Sequence, residues 1–122
     1  MSIKVKEVAF VFHPVTDVAR ARKFYEEFLG LKVGVQVEIA PGQWWIEFDI
    51  AGQALAVSNA VPGTPASSLT LEVANLDEAL AAVRAANIPL VFGVMEFPPC
   101  RLAAIKDPDG NQIGLHQRKA AS

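Results

Sequence analysis

Cysteine is almost missing from the sequence, and its scarcity narrows the possibilities at once. Cys100 is the one cysteine in 122 residues, so an intrachain disulfide and a cysteine-built zinc cluster are both excluded. Histidine is nearly as rare, with His13 and His116 the whole supply. No apolar run approaches the roughly 20 residues of a membrane span. Excess charge is missing too: 11 basic residues against 13 acidic ones leave a net charge of −2. That balance gives no electrostatic reason to expect nucleic acid or an anionic membrane as a partner. The residues from Met1 to Lys6 carry neither the long apolar stretch nor the small-residue cleavage site of a secretory signal. These absences together lead us to expect a cytoplasmic protein, long enough to bury an adequate core.

What is present is an ordered series of strand and helix patterns. Residues 6–15 are rich in β-branched and aromatic types and read as a strand. Asp17 can cap a helix over 18–29, where Val18, Ala21, Phe24, Tyr25 and Phe28 recur at helical spacing and Gly30 supplies the stop. Strand patterns follow over 32–39, 44–49 and 54–58, with Ala51-Gly52 as a tight turn between the last two. Residues 59–67 contain Pro62, Gly63 and Pro65 and suit neither period, so they form a linker. Beyond it come a strand over 68–73, a cap at Asn75, and a helix over 76–86 ended by Asn87 and Pro89. Strands over 90–96, 101–105 and 112–117 complete the pattern, with Asp107-Pro108-Asp109-Gly110-Asn111 as the last hairpin turn.

The two halves repeat one another. Val15-Thr16-Asp17-Val18 answers to Val73-Ala74-Asn75-Leu76, Gly52 to Gly110 and Leu55 to Ile113, always 58 residues apart. Only the strand before each hairpin slips by one, Phe48 answering to Ile105, because the second turn is one residue longer. Keeping one offset through a helix, a turn and three strands marks an internal duplication. The expected fold is therefore α+β: duplicated βαβββ modules forming a curved, mostly antiparallel sheet groove with the helices outside. We expect a single domain over 1–122, with module one at about 5–58, the linker at 59–67 and module two at about 68–118.

Strand alternation then sorts side chains between the helix side and the groove. Val8, Phe10 and Phe12 are expected in the groove, as are Trp45, Glu47, Ala54, Ala56 and Ser58. From the second module come Ser68, Thr70, Glu72, Cys100, Leu102, Ala104, Gly114 and His116. His13 has the opposite parity and is expected to face its helix, as a hydrogen-bonded histidine at a strand end.

The run Pro14-Val15-Thr16-Asp17-Val18-Ala19-Arg20-Ala21-Arg22-Lys23-Phe24-Tyr25, with Leu29-Gly30-Leu31, resembles the vicinal-oxygen-chelate superfamily of glyoxalases, bleomycin-resistance proteins and ring-cleaving dioxygenases. So does Asp107-Pro108-Asp109-Gly110-Asn111, and both motifs sit at the right places in the duplicated frame. The resemblance covers essentially the whole chain. It implies, for members that do chemistry, a divalent metal held by His or Glu from the first and last strand of each half. Carried over, those four positions are Phe10, Ala56, Ser68 and Gly114. Phe, Ala and Gly have no side-chain donor, and Ser is a poor ligand for a divalent ion. The resemblance therefore points to the members that lack the metal site: no cofactor is expected, and a divalent metal fits only an atypical site using His116 and Glu47.

The remaining polar and aromatic groups define the candidate site. His116 is expected across from Leu102 and diagonal to Cys100, where a Cys–His couple supports a nucleophile or base; the alternative is a terminal histidine beside an inert thiol. Glu47 is either a desolvated base or a partly exposed carboxylate. Phe10, Phe12 and Trp45 either stack on a planar ligand or pack against one another or a second chain. Ser68, Thr70 and Arg101 are candidate ligand contacts, although Arg101 and Glu72 also suit surface or edge contacts. The expected function is a metal-free protein that sequesters a small molecule, in the manner of the bleomycin-resistance branch. The alternative is a lyase, isomerase or dioxygenase-like enzyme on a small oxygen-rich substrate, with His116, Glu47 or Cys100 as base or nucleophile. A homodimer is expected, because the groove leaves apolar surface open.

Overall fold

The computed structural model describes residues 4, 8–60, 68–98 and 100–119, with Ser68 described in its backbone only. The chain divides into two compact units, Met1–Gly63 and Thr64–Ser122. The linker expected at 59–67 lies outside the described residues except for Asn59 and Ala60.

In the first unit, β1 (Val11–Pro14) is followed by α1 (Val18–Arg22), which continues as a π-helical stretch over Lys23–Phe28. Then come β2 (Lys32–Ala40), β3 (Gln43–Ile50) and β4 (Gln53–Ser58). The second unit repeats the plan as β5 (Ser68–Glu72), α2 (Leu76–Ala85), β6 (Leu90–Glu96), β7 (Cys100–Lys106) and β8 (Gln112–Arg118). Each unit holds one four-stranded mixed sheet, ordered β1-β4-β3-β2 and β5-β8-β7-β6. First and last strands run parallel, and the other pairs are antiparallel. The fold is α+β, built from βαβββ modules.

The duplication reappears in the pairing register. Val11 faces Leu55 in the first sheet and Leu69 faces Ile113 in the second, both partners displaced by 58 residues. Phe48 pairs with Leu55 and Ile105 with Ile113, which preserves the one-residue slip before the hairpin. The helix caps repeat as well. The Asp17 side chain accepts from the Arg20 amide at 3.0 Å, and Asn75 accepts from the Glu78 amide at 3.0 Å. Both satisfy N–H groups that the first helical turn leaves without a partner.

Two elements differ from the sequence pattern. Of the strand expected over 6–15, residues 6 and 7 lie outside the described residues, and the paired strand runs over Val11–Pro14. The first helix is not α-helical to Leu29: over Lys23–Phe28 it widens, with the Leu29 amide donating to the Phe24 carbonyl five residues back. The wider repeat seats Phe24 and Tyr25 side by side against the sheet, where both are buried. Tyr25 stacks on Phe48 with ring centroids 5.5 Å apart, and its hydroxyl meets His13 Nδ1 at 2.7 Å. A buried phenylalanine in such a cluster contributes about 3–5 kcal/mol. His13 is thus the hydrogen-bonded, helix-facing histidine that strand parity requires.

Turn chemistry closes each hairpin. Ala51 and Gly52 both adopt left-handed φ angles, 52° and 88°, the combination that a two-residue hairpin turn demands. The Asp107 carboxylate accepts from the backbone amides of Asp109 and Asn111, at 2.9 and 2.7 Å, and from the Asn111 side chain at 2.8 Å. The Asp-Pro-Asp-Gly-Asn motif therefore shapes a turn.

Candidate functional site

In each sheet the helix covers one face, so ligand chemistry falls to the face turned away from it. Pairing across the strands makes the composition of that far face explicit, since directly paired residues share a face. In the first sheet, one cross-strand row reads Phe12–Ala56–Glu47–Val35 and the next Pro14–Ser58–Trp45–Val37. In the second sheet the matching rows are Thr70–Gly114–Ala104–Phe92 and Glu72–His116–Leu102–Met95. The backbones repeat, but the side chains have diverged into two different surfaces.

The first surface is aromatic. Phe12 and Trp45 stack with centroids 5.7 Å apart and planes 9° from parallel. Phe10, although outside the paired strand and 43% exposed, meets Trp45 edge-on at 5.2 Å. The Trp45 indole N–H donates to Glu47 Oε2 at 2.8 Å, which fixes the carboxylate beside the rings. Gly34, at a register shift of β2, carries no side chain, and a cleft of about 420 Å³ opens there between Val35, Glu47, Asp49 and Ala54. Four residues anticipated from the sequence, Phe10, Phe12, Trp45 and Glu47, are brought together.

The second surface is polar at one end and apolar at the other. His116 Nδ1 lies 2.6 Å from Glu72 Oε1, and the Arg118 amide donates to Glu72 Oε2 at 2.8 Å. Both carboxylate oxygens are thereby held. The Arg118 amide, first, and the His116 ring, second, keep the Glu72 carboxyl below the usual range for glutamate. An ionised carboxylate only accepts, so the shared proton sits on Nδ1. Leu102 stands directly across from His116, as the parity argument requires. Cys100 is half-buried at the start of β7, and among the described residues no hydrogen bond joins it to His116.

Arg101 does not share this face. Its position between Cys100 and Leu102 gives it the opposite parity, and its guanidinium meets Asp77 at 3.0 Å and Glu96 at 2.8 Å. The partnership pushes Arg101 up and Asp77 down from their ordinary pKa values. Thr70 lies on the far face against Gly114, and the Ser68 side chain lies outside the described residues. The residue that sequence reasoning undervalued is Glu72. Its signal was the duplication itself: the parallel register that sets Pro14 beside Ser58 sets Glu72 beside His116.

The sequence profile of the Glyoxalase/Bleomycin resistance protein/Dioxygenase superfamily matches residues 8–115. The chain belongs to that superfamily. Among solved structures it is similar to TnmS3, an antibiotic binding protein from Streptomyces sp. CB03234, at 24% identity and a TM-score of 0.74, covering 97% of this chain and 100% of that one. It is also similar to a superfamily member from Sphaerobacter thermophilus, at 20% identity, TM-score 0.75 and coverage of 93% and 98%. A lactoylglutathione lyase from Agrobacterium tumefaciens matches at 20% identity, TM-score 0.70 and coverage of 93% and 95%. At these identities the likenesses establish the fold alone. No curated protein matches the chain in sequence.

The resemblance implies metal-ligand positions at Phe10, Ala56, Ser68 and Gly114. Phe10 and Ala56 offer no donor atom. At Gly114 an added Cβ would come within 2.6 Å of Thr70 Oγ1, so even the space for a ligating side chain is taken. Phe10, Ala56 and Gly114 thus offer a divalent ion no side-chain donor, and among the described residues no three His, Cys, Asp or Glu side chains are placed to hold one.

The Glu72 clamp has a pH consequence. Its folded pKa is depressed, so its stabilisation is complete above the usual carboxylate range and is lost as pH falls through the lowered value. We expect the urea midpoint of the wild-type protein to fall more steeply on acidification than that of Glu72→Gln. Parallel pH dependences for the two proteins contradict the clamp.

Proposed function

We propose that the protein binds and sequesters a small molecule without a resident metal ion, and that the far face of the first sheet receives the ligand's planar part. The observation that carries this reading is the stacked Phe12–Trp45 pair with Glu47 tied to the indole. Aromatic surface supplies area and stacking, while one oriented carboxylate selects a hydrogen-bond donor or cation on the ligand. The missing donors at Phe10, Ala56 and Gly114 support a role that needs no Lewis acid. The likeness to an antibiotic binding protein is consistent with it. The enzyme alternative, a lyase, isomerase or dioxygenase-like activity at an atypical site, has one observation in its favour, the Glu72–His116 pair.

Tryptophan fluorescence titration against a panel of planar aromatic compounds tests the reading. Saturable quenching is expected, with affinity by titration calorimetry about two- to tenfold weaker in Trp45→Ala, as a lost stacking contact of about 0.5–1.5 kcal/mol predicts. A panel without a binder, or a Trp45→Ala variant that binds as tightly, contradicts it.

We also infer a homodimer. Strand β2 is the edge of its sheet and exposes Val33, Val35, Val37 and Ile39, at 36–55% of their surface. Edges of this kind are normally covered. Sedimentation equilibrium at micromolar concentration is expected to give twice the chain mass, and Val37→Lys to shift it toward the monomer. A monomeric wild-type protein contradicts the inference.

A further inference from the structure

The second sheet carries a surface that the aromatic face does not explain. One row across it, Glu72–His116–Leu102–Met95, runs from a fixed carboxylate through an imidazole to two apolar side chains. In the first sheet the same row is Pro14–Ser58–Trp45–Val37, so the polar end is peculiar to the second copy. The His116 side chain is 26% exposed and within reach of a ligand, and Met95 is 45% exposed.

We propose that Glu72 and His116 form a proton-accepting anchor for the acidic hydroxyl of a small aromatic molecule, a phenol or an enol. With Nδ1 donating to Glu72, the neutral ring presents its lone pair at Nε2. A hydroxyl meeting that nitrogen gives up its proton: the O–H bond breaks, an N–H bond forms at Nε2, and a phenolate and an imidazolium result. No other reagent is consumed. The carboxylate stabilises the imidazolium as it forms, and the Arg118 amide keeps that carboxylate in place. The body of the ligand then lies over Leu102 and Met95, where a thioether makes a favourable contact with a ring. Glu72 from β5, Cys100 from β7 and Arg118 two residues along β8 are titratable groups on the same side as His116. The proposal stands on the second sheet alone and survives if the aromatic face of the first sheet proves empty.

The probe is p-nitrophenol, whose phenolate is yellow and whose neutral form is not. Just below the phenol's own pKa, titration with wild-type protein is expected to raise the phenolate band to saturation. His116→Ala is expected to lose the band. Glu72→Gln should weaken it about tenfold, the effect of removing one charged partner from the imidazolium. Glu27→Gln, at an exposed position of the first unit's helix, should leave it unchanged. If His116→Ala does not fold, the imidazole nitrogen shifts of the wild-type protein supply the readout, with Nε2 gaining a proton on addition of the phenol. A wild-type protein that binds no p-nitrophenol overturns the proposal. So does one that binds it without the band, an Nε2 that gains no proton, or a band that persists in His116→Ala.

Discussion

The parallel pairing of β1 with β4, and of β5 with β8, decides what each far face displays. Side chains alternate along a strand, so a slip of one residue would turn every group to the other side of its sheet. With Val11 set against Leu55, the rings of Phe12 and Trp45 emerge together while His13 turns inward to Tyr25. With Leu69 set against Ile113, Glu72 and His116 become neighbours although 44 residues separate them in the chain. The helix-side clusters hold this register. Phe48, Leu55 and Val57 are buried in the first sheet, and Ala103, Ile105, Ile113 and Leu115 in the second. Slipping either strand would expose its cluster to water.

Within that shared frame the two copies have taken on different chemistry. Trp45 and Glu47 in the first sheet correspond to Leu102 and Ala104 in the second, and Pro14 and Ser58 correspond to Glu72 and His116. One surface offers stacking beside a carboxylate, and the other offers an imidazole beside apolar side chains. Phe10, one of the positions where the resemblance leads one to expect a metal ligand, has joined the aromatic surface. Ala56 likewise holds no donor atom, and at Gly114 the strand has no room for a side chain.

The sequence revealed most where local pattern and physics coincide. Caps at Asp17 and Asn75, the Ala51-Gly52 turn and the 58-residue offset were legible, because each rests on neighbours in the chain or on repetition. So was the sorting of Phe10, Phe12, Trp45 and Glu47 onto one face, which needs only alternation. The π-helical stretch was not legible, since it reflects how Tyr25, beside Phe24, fits against Phe48 rather than any helical period. For Arg101 the pattern offered both a ligand contact and a surface or edge contact. Its type suggested a ligand contact, whereas its parity set it beside Asp77 and Glu96, where exposed ion pairs stabilise little. Glu72 was undervalued because its partner is set by a parallel pairing that no local window shows. The duplicated register contained the answer.

The proposed reading is that the far face of each sheet recognises ligands by stacking, hydrogen bonding or proton acceptance rather than by coordination. Metal content measures this most directly. The purified protein, incubated with zinc, manganese, nickel or ferrous ion, desalted and subjected to elemental analysis, is predicted to retain far less than one ion per chain. One tightly held ion per chain, lost on substitution of His116 or Glu47, would contradict the account.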